Sequence, residues 1–106
     1  MSLPGLAEAL DALARRRELI SYGALARDLA VPGPGAIGRL TAALERLMAE
    51  DAAAGRPFRA ALCRARVGNG LPAPGFFDAA ERLHRFDGTD PESFVAAERA
   101  ALFNEG

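Results

Sequence analysis

The chain has 106 residues and a formal net charge of −1, with half of its residues hydrophobic and a quarter charged. Such a length and composition are typical of one globular domain with a modest core. A charge this close to zero gives no overall attraction to nucleic acid or to anionic lipid. All 13 basic residues are arginine. Selection for bidentate phosphate recognition would produce this bias, but we favour a GC-rich coding bias.

The cysteine content and the hydropathy pattern exclude several classes of protein. Cys63 is the single cysteine, so it has no partner for an internal disulfide, and no Cys/His spacing is typical of a metal site. The first residues lack a basic stretch followed by an apolar run, and no apolar run approaches the length of a membrane span. We therefore expect a cytoplasmic protein without a metal, a cofactor or a membrane partner.

Apolar periodicity predicts a mostly helical chain. Helices are expected over residues 4–16, 22–30, 36–54 and 76–85, with a last helix starting at Pro91. Ser2, Ser21 and either Thr89 or Asp90 are the expected N-caps of the first, second and last helices. Residues 31–35 read Val-Pro-Gly-Pro-Gly, and two prolines with two glycines require a turn. The second and third helices around this turn predict a helix-turn-helix.

Residues 58–67 are the best strand candidate, although the pattern changes face midway. Either the strand leaves the core at that point or a bulge exchanges its two faces. The following Gly-Asn-Gly at 68–70 is typical of a hairpin turn. The order of elements predicts a winged helix-turn-helix in one domain, with a core in residues 1–75 and a helical extension over 76–106.

Charge is distributed unevenly along the chain. Residues 36–75 carry six arginines against three acids, and residues 76–106 carry seven acids against three arginines. The positive segment contains the second helix of the motif and the expected wing, which are the parts of a winged helix that meet DNA. Arg39, Arg64 and Arg66 are the candidates for phosphate contacts. The alternative, which the sequence supports equally well, is that they are solvated side chains on the helix and the wing. Glu50 and Asp51 are interpreted as solvated charges.

Three short segments carry a resemblance to a known family. They are Ile-Ser-Tyr at 20–22, Leu-Ala at 25–26 and Ala-Ile-Gly at 36–38. Together they resemble the DNA-binding helix-turn-helix of alkylguanine-DNA alkyltransferases and alkyltransferase-like proteins, a winged helix that enters the minor groove and flips a damaged nucleotide. The resemblance implies that Tyr22 presses on a phosphate, whereas packing at the first helical turn is its alternative role. Gly35 stands where the family has its base-replacing arginine.

The family's nucleophile lies in a Pro-Cys-His-Arg motif that this chain lacks. Cys63 falls in a comparable region, but its neighbours are Leu62 and Arg64. Without an adjacent base to form the thiolate, a small buried strand residue is the better interpretation of Cys63. The resemblance therefore implies the scaffold of a DNA-damage reader without alkyl transfer.

A second resemblance extends over more of the chain. Tyr-Gly-x-Leu-Ala at 22–26, the Pro/Gly turn and Gly-Leu-Pro-x-Pro-Gly-Phe at 70–76 are similar to a group of small bacterial proteins sometimes labelled ribose-phosphate pyrophosphokinase. The sequence lacks the acidic pair and the Thr-Gly-x-Thr-like loop that such an enzyme needs. His84, the single histidine, is expected at the surface at a helix end and has no identifiable nucleophile partner. We therefore expect no enzyme.

Two hypotheses of function remain open at this point. The first is a non-enzymatic module that binds DNA through the helix at 34–46 and the wing at 58–70. The alternative is a protein-interaction adaptor that uses residues 70–77, with Leu71 and Phe76 as its anchors, together with the acidic C-terminal helices. Residues 70–77 could instead have a purely structural role, as a rigid loop that seats two phenylalanines on the core.

Overall fold

A computed structural model describes residues 3–65 and 69–105 of the chain. These residues form a mostly helical fold with one two-stranded parallel sheet. The helices are α1 (Leu6–Arg16), α2 (Tyr22–Asp28), α3 (Ala36–Ala53), α4 (Pro74–Arg82) and α5 (Pro91–Glu105). The strands are β1 (Ile20–Ser21) and β2 (Cys63–Arg64), and a 3₁₀ helix covers Arg59–Leu62. Ser2, an expected N-cap, lies outside the described residues.

The α2–turn–α3 unit has local causes that the sequence shows directly. The Ser21 hydroxyl caps α2 by accepting a hydrogen bond from the Ala24 amide at 3.2 Å. The turn then reaches Gly35, whose φ of +83° suits a residue without a side chain. The Arg39 guanidinium donates hydrogen bonds to the carbonyls of Pro32 and Pro34. The turn is thus fixed both by its composition and by a side chain from α3.

The strand predicted over residues 58–67 is wrong in its first half. Residues 59–62 form the 3₁₀ helix, and only β2 is extended. The alternation depended on Arg59 standing between Phe58 and Ala60, but Arg59 is buried with the rest of residues 58–63, so the pattern does not mark a solvent face. β2 pairs in parallel with β1, with Ile20 beside Cys63 and Ser21 beside Arg64. Residues 66–68, which include part of the predicted hairpin turn, lie outside the described residues.

The core is continuous from α1 to α5. The 3₁₀ helix packs against α1, α3 and α5, and Phe58 at its N-terminal end is completely buried. The ring of Phe58 meets that of Phe76 edge to face, with centroids 6.0 Å apart. Val95 and Leu102 of α5 belong to the same buried cluster. The two C-terminal helices therefore share the core of the N-terminal part of the chain.

A buried ion pair joins α3 to the 3₁₀ helix. Asp51 is 1% exposed and accepts hydrogen bonds from Nη2 of Arg59 at 2.9 Å and from the Arg59 amide at 3.0 Å. Arg59 also lies 3.5 Å from Asp11 of α1. Burial lowers the pKa of Arg59, but the hydrogen bond and charge of Asp51, followed by those of Asp11, raise it overall. The interpretation of Asp51 as a solvated charge was wrong, because its partner lies beyond the end of its own helix.

We expect Asp51→Ala to lower the free energy of unfolding by about 3–5 kcal/mol, because the substitution leaves the buried Arg59 guanidinium without its carboxylate. Urea denaturation followed by circular dichroism measures this loss. The control is Arg82→Ala, which breaks the exposed Arg82–Glu45 pair of 3.2 Å and should cost less than about 1 kcal/mol. Equal losses in the two variants would contradict a special role for the buried pair.

Candidate functional site

The N-terminal end of α3 is the exposed apolar and cationic feature of the molecule. Ile37 is 46% exposed, the only large hydrophobic side chain so exposed in residues 3–65 and 69–105. Gly38 and Arg39 beside it are also exposed. The first turn of α3 contains no acidic residue, and no side chain caps its N-terminus. This end of α3 therefore combines an apolar tip with groups that suit an anion.

Tyr22 lies half-buried at the start of α2. Its hydroxyl oxygen accepts a hydrogen bond from the Ala73 amide at 2.9 Å. Burial raises the pKa of Tyr22 to about 12, and the hydrogen bond from Ala73 offsets only part of this rise. The phenol therefore stays protonated near neutral pH and keeps its own O–H as a donor. Its contact with a phosphate stays a prediction.

A pocket of about 160 Å³ opens beside Tyr22. Thr41 and Met48 of α3 and Phe76 of α4 line it, together with Glu45, whose carboxylate pairs with Arg82 at 3.2 Å. Ile37 precedes Thr41 by one helical turn, so the exposed tip and the pocket share one face of α3. Sequence reasoning missed this pocket, because it depends on how three helices meet. Its signal in the sequence was a threonine within the otherwise apolar stripe of α3.

The three predicted arginines have different environments. Arg64 is exposed in β2, beside the Ser21 cap of α2. Arg39 is also exposed, but its guanidinium already holds the turn carbonyls. Arg66 lies outside the described residues. The structure thus places Arg64 next to the start of α2 and Arg39 against the turn that precedes α3.

Part of the positive charge of residues 36–75 is internally compensated. Arg59 is buried against Asp51, and Arg56 lies 3.2 Å from Glu105 and 3.9 Å from Asp11. Burial closes Arg59 to an external phosphate, whereas Arg56 is partly exposed and only paired with acids at the surface. The positive charge that residues 36–75 present to solvent is therefore smaller than their number of arginines suggests. Arg64 is one of the arginines that remain exposed.

The predicted partner anchors lie in or against the core. Phe76 is 5% exposed and packs edge to face on Phe58 and Phe77. Leu71 is half-buried against the same cluster, and Pro72 is buried. Phe76 therefore offers almost no surface to a partner. Its position agrees with the structural role considered for this loop, that of seating aromatic rings on the core.

Cys63 and His84 occupy unrelated surroundings. Cys63 is completely buried, and burial raises the pKa of its thiol to about 12, with a smaller lowering effect from Arg99. A thiol in that state is no nucleophile near neutral pH. His84 is exposed and lines an open groove with Glu81, Asp87 and other residues of the α4–α5 connection, separate from the pocket of Tyr22.

Neither a metal site nor a membrane-crossing helix is found in the described part of the chain. No group of three or more His, Cys, Asp or Glu side chains there is placed to hold a metal ion. None of the helices described is both long and apolar enough to cross a membrane. Comparison with protein-family models, curated proteins and solved structures gives no match.

We expect the Cys63 thiol to stay unreactive towards an aromatic disulfide reagent in the native protein and to react fully in urea, because no solvent reaches it. The raised pKa gives a second readout. The unfolded chain releases the thiol proton near pH 9 and the folded chain near pH 12, so this group's stabilising contribution is complete below about pH 8.5 and is lost as pH rises towards 12.

Thermal unfolding measured across this pH range checks the second readout. Cys63→Ala should show a smaller loss of melting temperature at high pH than the wild type does. A native thiol that reacts at the rate found in urea, or an identical pH dependence in both proteins, would contradict the burial of Cys63.

Proposed function

We propose that this protein is a winged-helix-like module that binds duplex DNA through the α2–turn–α3 unit, without a catalytic step. In this proposal the N-terminal half of α3 enters a groove, and Arg64 in β2 contacts a phosphate beside it. The observation that carries the proposal is the exposed end of α3, with Ile37, Gly38 and Arg39 in sequence and no acid in the first turn. A side chain and helix end of this kind complement an anionic, stacked ligand.

The composition of this surface favours weak sequence preference. Direct readout of base edges uses side chains such as Asn, Gln and bidentate Arg. In the first two turns of α3 only Arg39 and Thr41 carry polar side chains, and both donate to nearby backbone carbonyls. Contacts to phosphates and to groove shape would therefore supply most of the affinity.

Ile37 is the side chain that we assign to the base stack. Proteins that enter the minor groove often insert an apolar side chain such as isoleucine between base steps. The resemblance to the alkyltransferase helix-turn-helix implies an arginine for this task, and Gly35 occupies that position. Ile37 lies two residues further on and is exposed. The pocket beside Tyr22, lined by both apolar side chains and Glu45, is the place that we assign to a displaced base on the same face of α3.

Fluorescence anisotropy with labelled duplexes of unrelated sequence tests the phosphate contact. The affinity should fall steadily between about 50 and about 200 mM salt, with a logarithmic slope of roughly one for each phosphate neutralised. Arg64→Ala should weaken binding to all duplexes alike and reduce this slope by about 1.

Arg16→Ala is the matched control for Arg64→Ala. It removes an arginine at the exposed end of α1, where Arg16 pairs with Glu18 at 3.1 Å, and the slope should not change. Absence of salt-sensitive DNA binding by the wild type would overturn the proposed function.

A duplex that carries a fluorescent adenine analogue tests the role of Ile37, because the emission of the analogue rises when its base is unstacked. The wild type should raise the emission, and Ile37→Ser should bind with the same salt slope but without this rise. Ile37→Leu, which keeps an apolar side chain of equal size, should restore it. A rise in emission that persists in Ile37→Ser would exclude Ile37 as the inserted side chain.

A further inference from the structure

We infer that Arg99 of α5 is a positioning residue that holds the backbone on both sides of Arg64, and thereby places Arg64 for its phosphate contact. The inference rests on the proposed function, since it concerns the same DNA-binding surface. Arg99 is part-buried and far from Arg64 in the sequence.

The Arg99 guanidinium connects two separate stretches of backbone. Its Nε donates to the Ala61 carbonyl at 2.7 Å, and its Nη2 donates to the Gly70 carbonyl at 2.9 Å and to the Cys63 carbonyl at 3.4 Å. The first and third of these carbonyls precede Arg64, and the second follows it. A planar group with several fixed donors can hold such an arrangement, whereas a single ammonium cannot.

Other backbone contacts complete the hold on this region. The Ala65 amide donates to the Leu71 carbonyl at 2.8 Å. Cys63 is fixed by its pairing with Ile20 of β1. Arg64 therefore lies between two residues whose backbone groups are both engaged. The direction of its Cα–Cβ bond follows from these contacts, and Arg99 supplies the contact to Cys63 from α5.

The electrostatic surroundings of Arg99 differ from those of its arginine neighbours. Arg85 pairs with Glu98 at 3.0 Å, and Arg56 pairs with Glu105. No carboxylate within 4 Å neutralises Arg99 in the described residues. Burial lowers the pKa of Arg99, with smaller opposing effects from Cys63 and Tyr22. The contacts that Arg99 makes in the described residues are therefore to backbone carbonyls around Arg64 and not to a carboxylate.

A double-mutant cycle on DNA binding tests the inference. Arg99→Gln and Arg99→Lys should each weaken duplex binding about as much as Arg64→Ala does, by roughly five- to tenfold, and should each reduce the salt slope by about 1. In the Arg64→Ala background neither substitution should weaken binding further, because the contact that Arg99 positions is already absent. Lysine should fail to rescue, although it keeps the charge.

Arg85→Gln provides the matched control. It removes an ion pair to Glu98, the residue next to Arg99, together with the contact of the Arg85 guanidinium with the Phe58 ring at 4.2 Å. It should therefore lower the melting temperature without changing the salt slope. A change of slope equal to that of Arg99→Gln would show that destabilisation alone explains the effect.

Hydrogen exchange measured without DNA separates failure of this inference from failure of the proposed function. In Arg99→Gln the Ala65 amide should exchange about tenfold faster or more, while amides of α1 and α3 keep their protection. Unchanged exchange at Ala65, additive losses in the cycle, or full rescue by lysine would overturn the positioning role. Faster exchange in a protein that shows no salt-sensitive DNA binding would instead overturn the proposed function and leave Arg99 with a structural role alone.

Discussion

The buried ion pair between Asp51 and Arg59 anchors the C-terminal half of α3, the longest helix, in the core. It fixes the C-terminal half of α3 to the 3₁₀ helix, and Leu47 and Met48 are buried in that same half. The inner face of the N-terminal half is buried through Leu40 and Leu44, and the Arg39 guanidinium is bound to the turn carbonyls. On the outer face Ile37 extends into solvent. An arrangement of this kind gives a rigid, preorganised surface, which lowers the entropic cost of binding.

Local signals in the sequence were enough to predict most of the helices. The Ser21 cap, the Pro/Gly turn at 31–35 and the cap formed by Asp90, whose carboxylate accepts from the Ser93 amide at 3.2 Å, all act within a few residues of where they appear. The 3₁₀ helix could not be predicted in this way. Its residues are buried by α1, α3 and α5, and the buried Arg59 gives the segment a polar position that does not face solvent, so the alternation in the sequence was misleading.

The residues of the candidate site also differ in whether local sequence or tertiary contacts determine their position. The helix pattern predicts Arg39 as a surface residue, but it also places Ile37 in the apolar stripe with Leu40, so the exposure of Ile37 could not be predicted from it. The pocket beside Tyr22 and the burial of Asp51 depend on tertiary contacts between segments far apart in the chain. Arg99 is the clearest case, because its partners are backbone carbonyls and every residue type carries one. A partner without a distinctive side chain leaves no trace in the sequence.

The parallel pairing of Ile20 with Cys63 has a kinetic consequence. These residues are separated by about forty positions, and the loop between them contains α2 and α3, so its closure entropy must be overcome before the pairing contributes any stability. The contacts between α2 and α3 are nearer in the chain, whereas α1 packs against the 3₁₀ helix and α5 and so also depends on distant contacts. We therefore expect the backbone around Arg64 to form after the contacts between α2 and α3. A partner that binds this region would slow unfolding by holding its later-formed contacts together.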